Sequence, residues 1–344
     1  MDTGLLKELR EHRRGLKNHL EKASEFLIKC QITAPYVTRG TLRGCVCPWE
    51  IGESADEGVF PIVEDFHDTL EAVWVWSLHA KVTGNMSFKS SADRACEYVI
   101  GNWDRFIDKG GRAGKSLYDC SHVLLSGTLF ASVFDGTKHW AQLVEAGNRL
   151  AKYLRTLEST EGREYNDPFW MVHCLGLAAA KLRQKQWRTI AQTFAKDKVM
   201  DADNPFTRVE EEPAHVGPGG HDFFSKNANV ALALISCSEE VKEIREILTT
   251  KFLPCIPANF VKRHADENAW NAHLAAALGR SYLLTRRGEF LRCYLKIMNE
   301  LAKRDHSASA ALPRSPSFGR RESWVTFFYT HAYASATKSL TDWT

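Results

Sequence analysis

Carboxylates set beside histidines are the residues of this chain best suited to moving protons. In "EDFHDT", residues 64–69, His67 and Asp68 are adjacent, and in "LYDCSH", residues 117–122, Tyr118 and Asp119 come just before His122. Residues three apart on a helix share a face, so Asp119 and His122 are placed to interact. A carboxylate beside an imidazole can hold an acid or base that titrates near neutrality. Glycoside hydrolysis uses two carboxylates across the scissile bond, one to give a proton and one to activate water or attack. Asp68 and Asp119 are the candidate pair. A lyase would instead need a base next to a substrate carboxylate, and His122 or Tyr118 would serve.

Related groupings recur downstream as "YNDPFW", "GHDFFS", "DENAWNAH" and "RESW". With the first two they supply the candidate substrate contacts His67, Tyr118, Asp167, Trp170, His221, Asp222, Trp270, Asn271 and Trp324. Each also has a plain structural reading. Asp, Asn and Ser cap helix N-termini, and Asp167 before Pro168 has the form of an N-cap followed by proline at the first helical position. Asp222 and Asp266 share that ambiguity. His173, beside Cys174 in an apolar run, reads as a buried core residue. Trp74, Trp170, Trp270 and Trp324 would stack on a sugar or enclose an isoprenoid if they face a cavity, and would otherwise be core.

Helical periodicity dominates the elements that must position these groups, with no sustained alternation of the strand kind. Residues 64–82 are apolar nearly all round, as in a helix buried on most sides. The next helix carries Ala92, Cys96, Val99, Ile100 and Trp103 opposite Lys89, Asp93, Arg94 and Glu97, so it has a wet face. This couplet of an apolar and an amphipathic helix recurs: 117–134 with 137–157, 166–183 with 186–196, 222–237 with 239–252, and 268–284 with 287–303. A last apolar helix at 322–338 has no follower. The spacing is roughly fifty residues, the scale of helical-hairpin repeats. The amphipathic N-terminal helix, 4–30, would pack beside the last helix and close a ring. The expected architecture is one all-α domain over 1–344: that helix, a leading loop at 33–63, and hairpins over 64–338. Three long irregular stretches, 33–63, 198–221 and 304–321, would rim the end where the inner helices begin. Helix N-termini there favour anions or ionised carboxylates, so an acidic substrate is among the expectations.

The stretches "VTGNMSFKSSADRACEYV", "FDGTKHWAQLVEAGNRLAKYL" and "LTRRGEFLRCYLKIMNELA" resemble the helical-hairpin repeats of the six-hairpin glycosidase-like proteins. The resemblance implies an (α/α)6 toroid covering about residues 60–338. It does not fix the chemistry, because related rings serve terpenoid cyclases and prenyltransferases. "VEDFHDTLEAVWVWSL" is similar to repeats of that second group, and "DADN" at 201–204 partly matches an acid motif of the cyclases without its final Asp, where a turn beside Pro205 is the simpler account. Asp119, Cys120 and His122 match the zinc site of prenyltransferases poorly. The expected function is an enzyme acting on a carbohydrate or uronic-acid-containing substrate as hydrolase or lyase. The alternatives are an isoprenoid-converting enzyme and a non-catalytic ligand-binding ring.

Composition narrows the partners. The chain has 344 residues, 44% apolar and 25% charged, the balance of a globular protein. Its net charge of +3 comes from scattered basic residues, not the patch that nucleic acid requires. The run Arg10, His12, Arg13, Arg14 and Lys17 alternates with acids as on a solvated helix face. No apolar segment is expected to span a membrane, the N-terminus lacks a secretory pattern, and a cytoplasmic location is expected. Nine cysteines, irregularly spaced, are expected to be reduced. Cys45 and Cys47 form a single C-x-C pair without a second ligand cluster, weak ground for zinc, so no metal or cofactor is expected.

Overall fold

A computed structural model describes residues 3–33, 42–51, 54–55, 58–59, 63–108, 115–134, 139–157, 167–200, 205–206, 223–237, 241–256, 268–315 and 317–337. The helices are α1 (Thr3–Cys30), α2 (Phe66–Thr83), α3 (Lys89–Gly101), α4 (Lys115–Phe134), α5 (Trp140–Thr156), α6 (Pro168–Lys181), α7 (Lys185–Ala195), α8 (Phe223–Cys237), α9 (Val241–Ile247), α10 (Asn268–Thr285), α11 (Gly288–Arg304) and α12 (Ser323–Ser335). Their contacts run in a circle, α2 on α4, α4 on α6, α6 on α8, α8 on α10, α10 on α12 and α12 back on α2. An outer helix backs the inner ones: α3 on α2, α5 on α4, α7 on α6, α9 on α10 and α11 on α10. Helix α1 lies against both α2 and α12. The expected outer helix 239–252 is shorter than its pattern, with α9 passing into a π-turn at Leu248–Phe252. Among the described residues, strand is confined to two-residue segments, Ser54–Ala55 paired with Gly58–Val59.

The inner helices are buried because they have no polar side to show. Helix α2 begins where the Asp65 carboxylate accepts the backbone N–H groups of His67 and Asp68, and it ends where Gly84 takes the left-handed conformation at φ 74° and returns its N–H to the Ala80 carbonyl. Caps of this kind satisfy donors and acceptors that helix ends leave open. Between them Trp74 and Trp76 are both fully buried. Helix α4 is twenty residues long and apolar enough, by length and composition, to cross a bilayer, which the sequence reading did not anticipate. Its apolar surface is spent on α2, α5 and α6.

Neighbouring outer helices α5 and α7 meet closely enough that side-chain size decides the spacing. A Cβ on Gly147 of α5 would stand 2.3 Å from the Trp187 indole of α7, and that ring is buried and tied by Nε1 to Asn148 at 3.0 Å. A buried, anchored indole has no room to yield. Gly147→Ala is therefore expected to destabilise the fold by about 2 kcal/mol, in the range of overpacked cores, measurable as a lower denaturation midpoint with unchanged slope.

Helix α1 closes the circle through a seam of specific contacts. The Tyr333 ring of α12 lies between His12, at 3.9 Å, and His19, at 4.3 Å, both nearly parallel to it. Arg13 donates to the Ala336 carbonyl at 2.9 and 3.1 Å, and His19 Nε2 lies 3.1 Å from Thr330 Oγ1. Burial, with Arg13 adding to it, holds His12 down to about 4, although the Tyr333 carbonyl opposes the shift. Burial, then His12 and Lys22, hold His19 down to about 3. Both imidazoles are neutral in this seam at pH 7.

The segments before α2 and before α12 come together at one end. The Ser323 N–H donates to the Pro48 carbonyl at 2.8 Å, and Asn268 N–H to that of Arg314 at 2.9 Å. Arg321 pairs with Glu50 at 3.0 Å, and the Arg320 guanidinium lies over Trp49 at 3.7 Å. These parts of the expected rim loops stand beside the N-termini of α10 and α12. Residues 201–204 and 207–221 lie outside the described residues.

Candidate active site

The N-terminal turns of the inner helices converge on one polar cluster, which shows that the helices run in the same direction. Asp65 and His67 start it. Besides capping α2, Asp65 Oδ1 lies 2.8 Å from His67 Nδ1, while His67 Nε2 lies 3.1 Å from Asp68 Oδ1. Ser323, at the first turn of α12, donates its hydroxyl to Asp68 Oδ2 at 2.6 Å. Burial opposes charge on His67, but Asp65 and Asp68 outweigh it and hold the imidazolium well above its ordinary range. Burial would raise Asp65, yet His67 and Lys115 bring it down to about 2. Burial and Asp65 push Asp68 upward, and His67 and Ser323 pull it back. Asp68 is thus a buried carboxylate whose two oxygens both have donors.

Asp119 is its opposite. It is 1% exposed, and among the described residues neither carboxyl oxygen has a hydrogen-bond partner. Burial raises it to about 7, less the pull of His67 and Lys115. Two carboxyls on neighbouring inner helices are held by different means, one bonded by charged and neutral donors and one left bare.

The expected Asp119–His122 pair is not formed. His122 Nδ1 lies 3.1 Å from the Tyr118 carbonyl and must donate to it, while Nε2 faces Glu71 Oε1 at 3.1 Å. Burial and then the charge of His67 lower His122 to about 3, and burial with the Asp68 charge raises Glu71 well above the carboxylate range. Both are neutral. The group that titrates near neutrality is Asp119, not the imidazole. Glu71 and Ser323 were not among the sequence candidates. The signal for Glu71 was available: it is the one acid inside an apolar stretch, three residues after Asp68 and so on its face.

Farther round the ring, Asp167 caps α6 through Phe169 and Trp170 N–H and also accepts from Asn229 Nδ2 at 2.7 Å. Asn229 Oδ1 in turn lies 2.6 Å from His273 Nε2. The capping reading of Asp167 holds, and the cap belongs to the cluster. Aromatic rings line the wall: Tyr118 lies 5.6 Å from His67, Trp170 5.7 Å from His122, and Trp270 6.1 Å from Trp324. Asn271 is buried on α10 beside them. Trp74 is core, in edge contact with Phe327 and His331. His173, as expected, is a buried core residue, with Nδ1 2.5 Å from Ser236 Oγ. His221 and Asp222 lie outside the described residues.

Among the described residues, Asp65, His67 and Asp68 are the group whose donor atoms lie close enough for a metal, all within 4.8 Å. Both His67 nitrogens face carboxylate oxygens, so two protons already occupy the positions a cation would take. That geometry suits an ion triad better than a metal centre. Cys45 lies with Sγ 3.6 Å from the Asp65 carbonyl and 3.7 Å from Thr69 Oγ1, and all nine cysteines are unbridged.

No family model and no curated protein matches the chain. Solved structures do. Cellobiose 2-epimerase from Spirochaeta thermophila DSM 6192 superposes with a TM-score of 0.66 at 11% identity, covering 99% of each chain. Unsaturated glucuronyl hydrolase from Bacillus sp. GL1 gives 0.60 at 13%, over 96% of this chain and 98% of that one. The GH76A α-1,6-mannanase from Salegentibacter sp. HEL1_6 gives 0.57 at 8%, over 93% and 98%. The fold is the (α/α)6 toroid. In this toroid the polar cluster sits at the N-terminal end of the inner ring, the end predicted for the cleft.

Proposed function

We propose that this toroid is a glycoside hydrolase acting on an oligosaccharide, with Asp119 as proton donor and Asp68 as the carboxylate that activates water or attacks carbon. The observation that carries this reading is the contrast between the two acids. Burial raises both acids, but only Asp68 has donors that support its ionised form, and such a difference in environment assigns acid and base roles. Asp119, bare and raised to about 7, keeps its proton at neutral pH for the leaving oxygen. Asp68 has His67 and Ser323 to support its charge. The wall of Tyr118, Trp170, Trp270 and Trp324 supplies ring faces of the kind sugars stack on. That the structural neighbours are carbohydrate-acting enzymes adds support by analogy alone.

A lyase has less support, since the neutral His122 has one nitrogen committed to a backbone carbonyl and the other facing the Glu71 carboxyl 3.1 Å away. The isoprenoid reading leaned on "DADN", which falls outside the described residues, and nothing in the cluster favours it.

The test is hydrolysis of a panel of aryl glycosides and reduced oligosaccharides by the purified protein. No turnover on any member would remove the reading. If Asp119 is the acid, turnover should decline above pH 7 by about tenfold per pH unit as its proton is lost, and a profile flat from pH 6 to 9 would take that role from it.

A further inference from the structure

We infer that Cys30 and Cys47 form a modification site, a thiol pair that a low-molecular-weight disulfide converts into an internal disulfide clamping residues 45–51 to the end of α1. This goes beyond the hydrolase reading and does not depend on it. The first ground is the backbone register. Gln31 and Val46 form an antiparallel bridge, flanked by Cys47 N–H donating to the Cys30 carbonyl at 2.9 Å and Ile32 N–H donating to that of Cys45 at 2.8 Å. Cys30 is thereby set opposite Cys47, and Ile32 opposite Cys45. Opposed residues joined in this way have Cα atoms about 5.5 Å apart, inside the window of about 4.4–6.8 Å that a disulfide spans. The side chains agree with the backbone. Of the neighbouring groups whose negative charge would oppose a thiolate at Cys30, Cys47 comes first, ahead of Glu50 and Asp68.

The same register sets the third nearby thiol aside. Cys45 faces Ile32, and its Sγ already lies 3.6 Å from the Asp65 carbonyl and 3.7 Å from Thr69 Oγ1. It stands about 6.6 Å from Cys47 along an extended chain, with the two side chains parallel and not converging.

The second ground is what the segment 45–51 holds together. Ile51 N–H donates to the Lys29 carbonyl of α1 at 3.0 Å, and Val46 N–H donates to Thr69 Oγ1 of α2 at 2.9 Å. The Pro48 carbonyl accepts the N–H of Ser323, the residue whose hydroxyl supports Asp68. A bridge at Cys47 therefore fastens the side of the polar cluster that Asp68 and Ser323 share.

Both thiols are fully buried, so the reagent reaches them when the segment lifts from α1, a local opening short of unfolding. Burial pushes Cys47 up to about 11 and Cys30 well above the ordinary thiol range, so Cys47 is the first to react. Its thiolate attacks one sulfur of the small disulfide, breaking that S–S bond and releasing one thiol, which takes up the proton Cys47 gave away. The Cys30 thiolate then attacks the Cys47 sulfur, closing the protein's S–S bond and releasing the second thiol with the proton from Cys30. The protein gives up two electrons and two protons, and the small disulfide gains them.

Incubation of the whole protein with excess oxidised glutathione at pH 8, in buffer and in urea just below the denaturation transition, tests this after alkylation of free thiols and peptide mapping by mass spectrometry. The map should show the Cys30 and Cys47 peptides joined, lighter by two hydrogens and parted again by dithiothreitol, with Cys45 alkylated. Hydrogen exchange at Ile32, Cys47 and Ile51 should slow by at least about tenfold in the bridged form. In Cys30→Ser the reaction should stop at a glutathione adduct on Cys47. Cys30→Ala, which buries no hydroxyl, takes its place if the serine variant fails to fold, and the wild-type map stands without either. No bridge below the transition, a bridge through Cys45, or unchanged exchange in the bridged form would overturn the proposal. None of these readouts involves turnover, so loss of the hydrolase reading on the glycoside panel leaves the thiol pair standing.

Discussion

Asp119→Asn is expected to lower glycoside turnover by roughly 10²- to 10⁴-fold, the usual share of a positioned general acid, and at the same time to stabilise the protein above pH 7. The two effects have one cause. Asp119 is nearly inaccessible and unbonded, so its ionised form is penalised in the fold. Its pKa rises from 3.8 unfolded to about 7 folded, so the fold keeps its full stability below pH 3.8 and loses it as pH climbs through 7. At pH 8 that loss is about 4 kcal/mol for a shift of this size, and the Asn variant does not incur it. Urea denaturation at pH 8 and pH 5 checks it: the variant should be the more stable at pH 8, with the gap much reduced at pH 5. A variant equally inactive but destabilised at pH 8 would make Asp119 a structural residue.

The seam between α1 and α12 should open selectively in acid. His12 and His19 have folded pKa values of about 4 and about 3 against 6.5 when exposed, so their contribution is complete above pH 6.5 and is lost as pH falls through the folded values. At pH 5 each loses about 2 kcal/mol, since each unit is worth about 1.4 kcal/mol. Together they favour local opening of α1 by roughly 10³-fold. Hydrogen exchange along α1, corrected for the intrinsic pH dependence of the amides, should show this between pH 7 and pH 5 while the inner helices stay protected. His19→Gln should remove about half of the pH dependence. Uniform exchange across α1 and α2 at pH 5 would mean that the ring opens as a whole.

Several elements were legible from the sequence because their signal is local. The alternation of helices apolar all round with helices wet on one face follows from which surfaces each must bury, and its sixfold recurrence, with α1 left to close the circle, implied the toroid. The Asp167 cap was likewise visible, since Asp before Pro specifies an N-terminus whatever surrounds it. Asp68 and Asp119 stood out as acids at the polar starts of apolar helices.

The partners were not legible. His122 lies one turn from Asp119 on its own helix, yet side-chain rotamers and the approach of α2 turn it to Glu71, and Ser323 reaches Asp68 from 255 positions away in the sequence. Sequence spacing reports which groups share a face; it says nothing of which face meets which. The protonation pattern depends on that meeting, because desolvation and neighbouring charge act through space. Helix propensity and hydrophobic period fixed where the acids stand along their helices, and only the packing of six helices around one lumen decided which acid is bonded and which is bare.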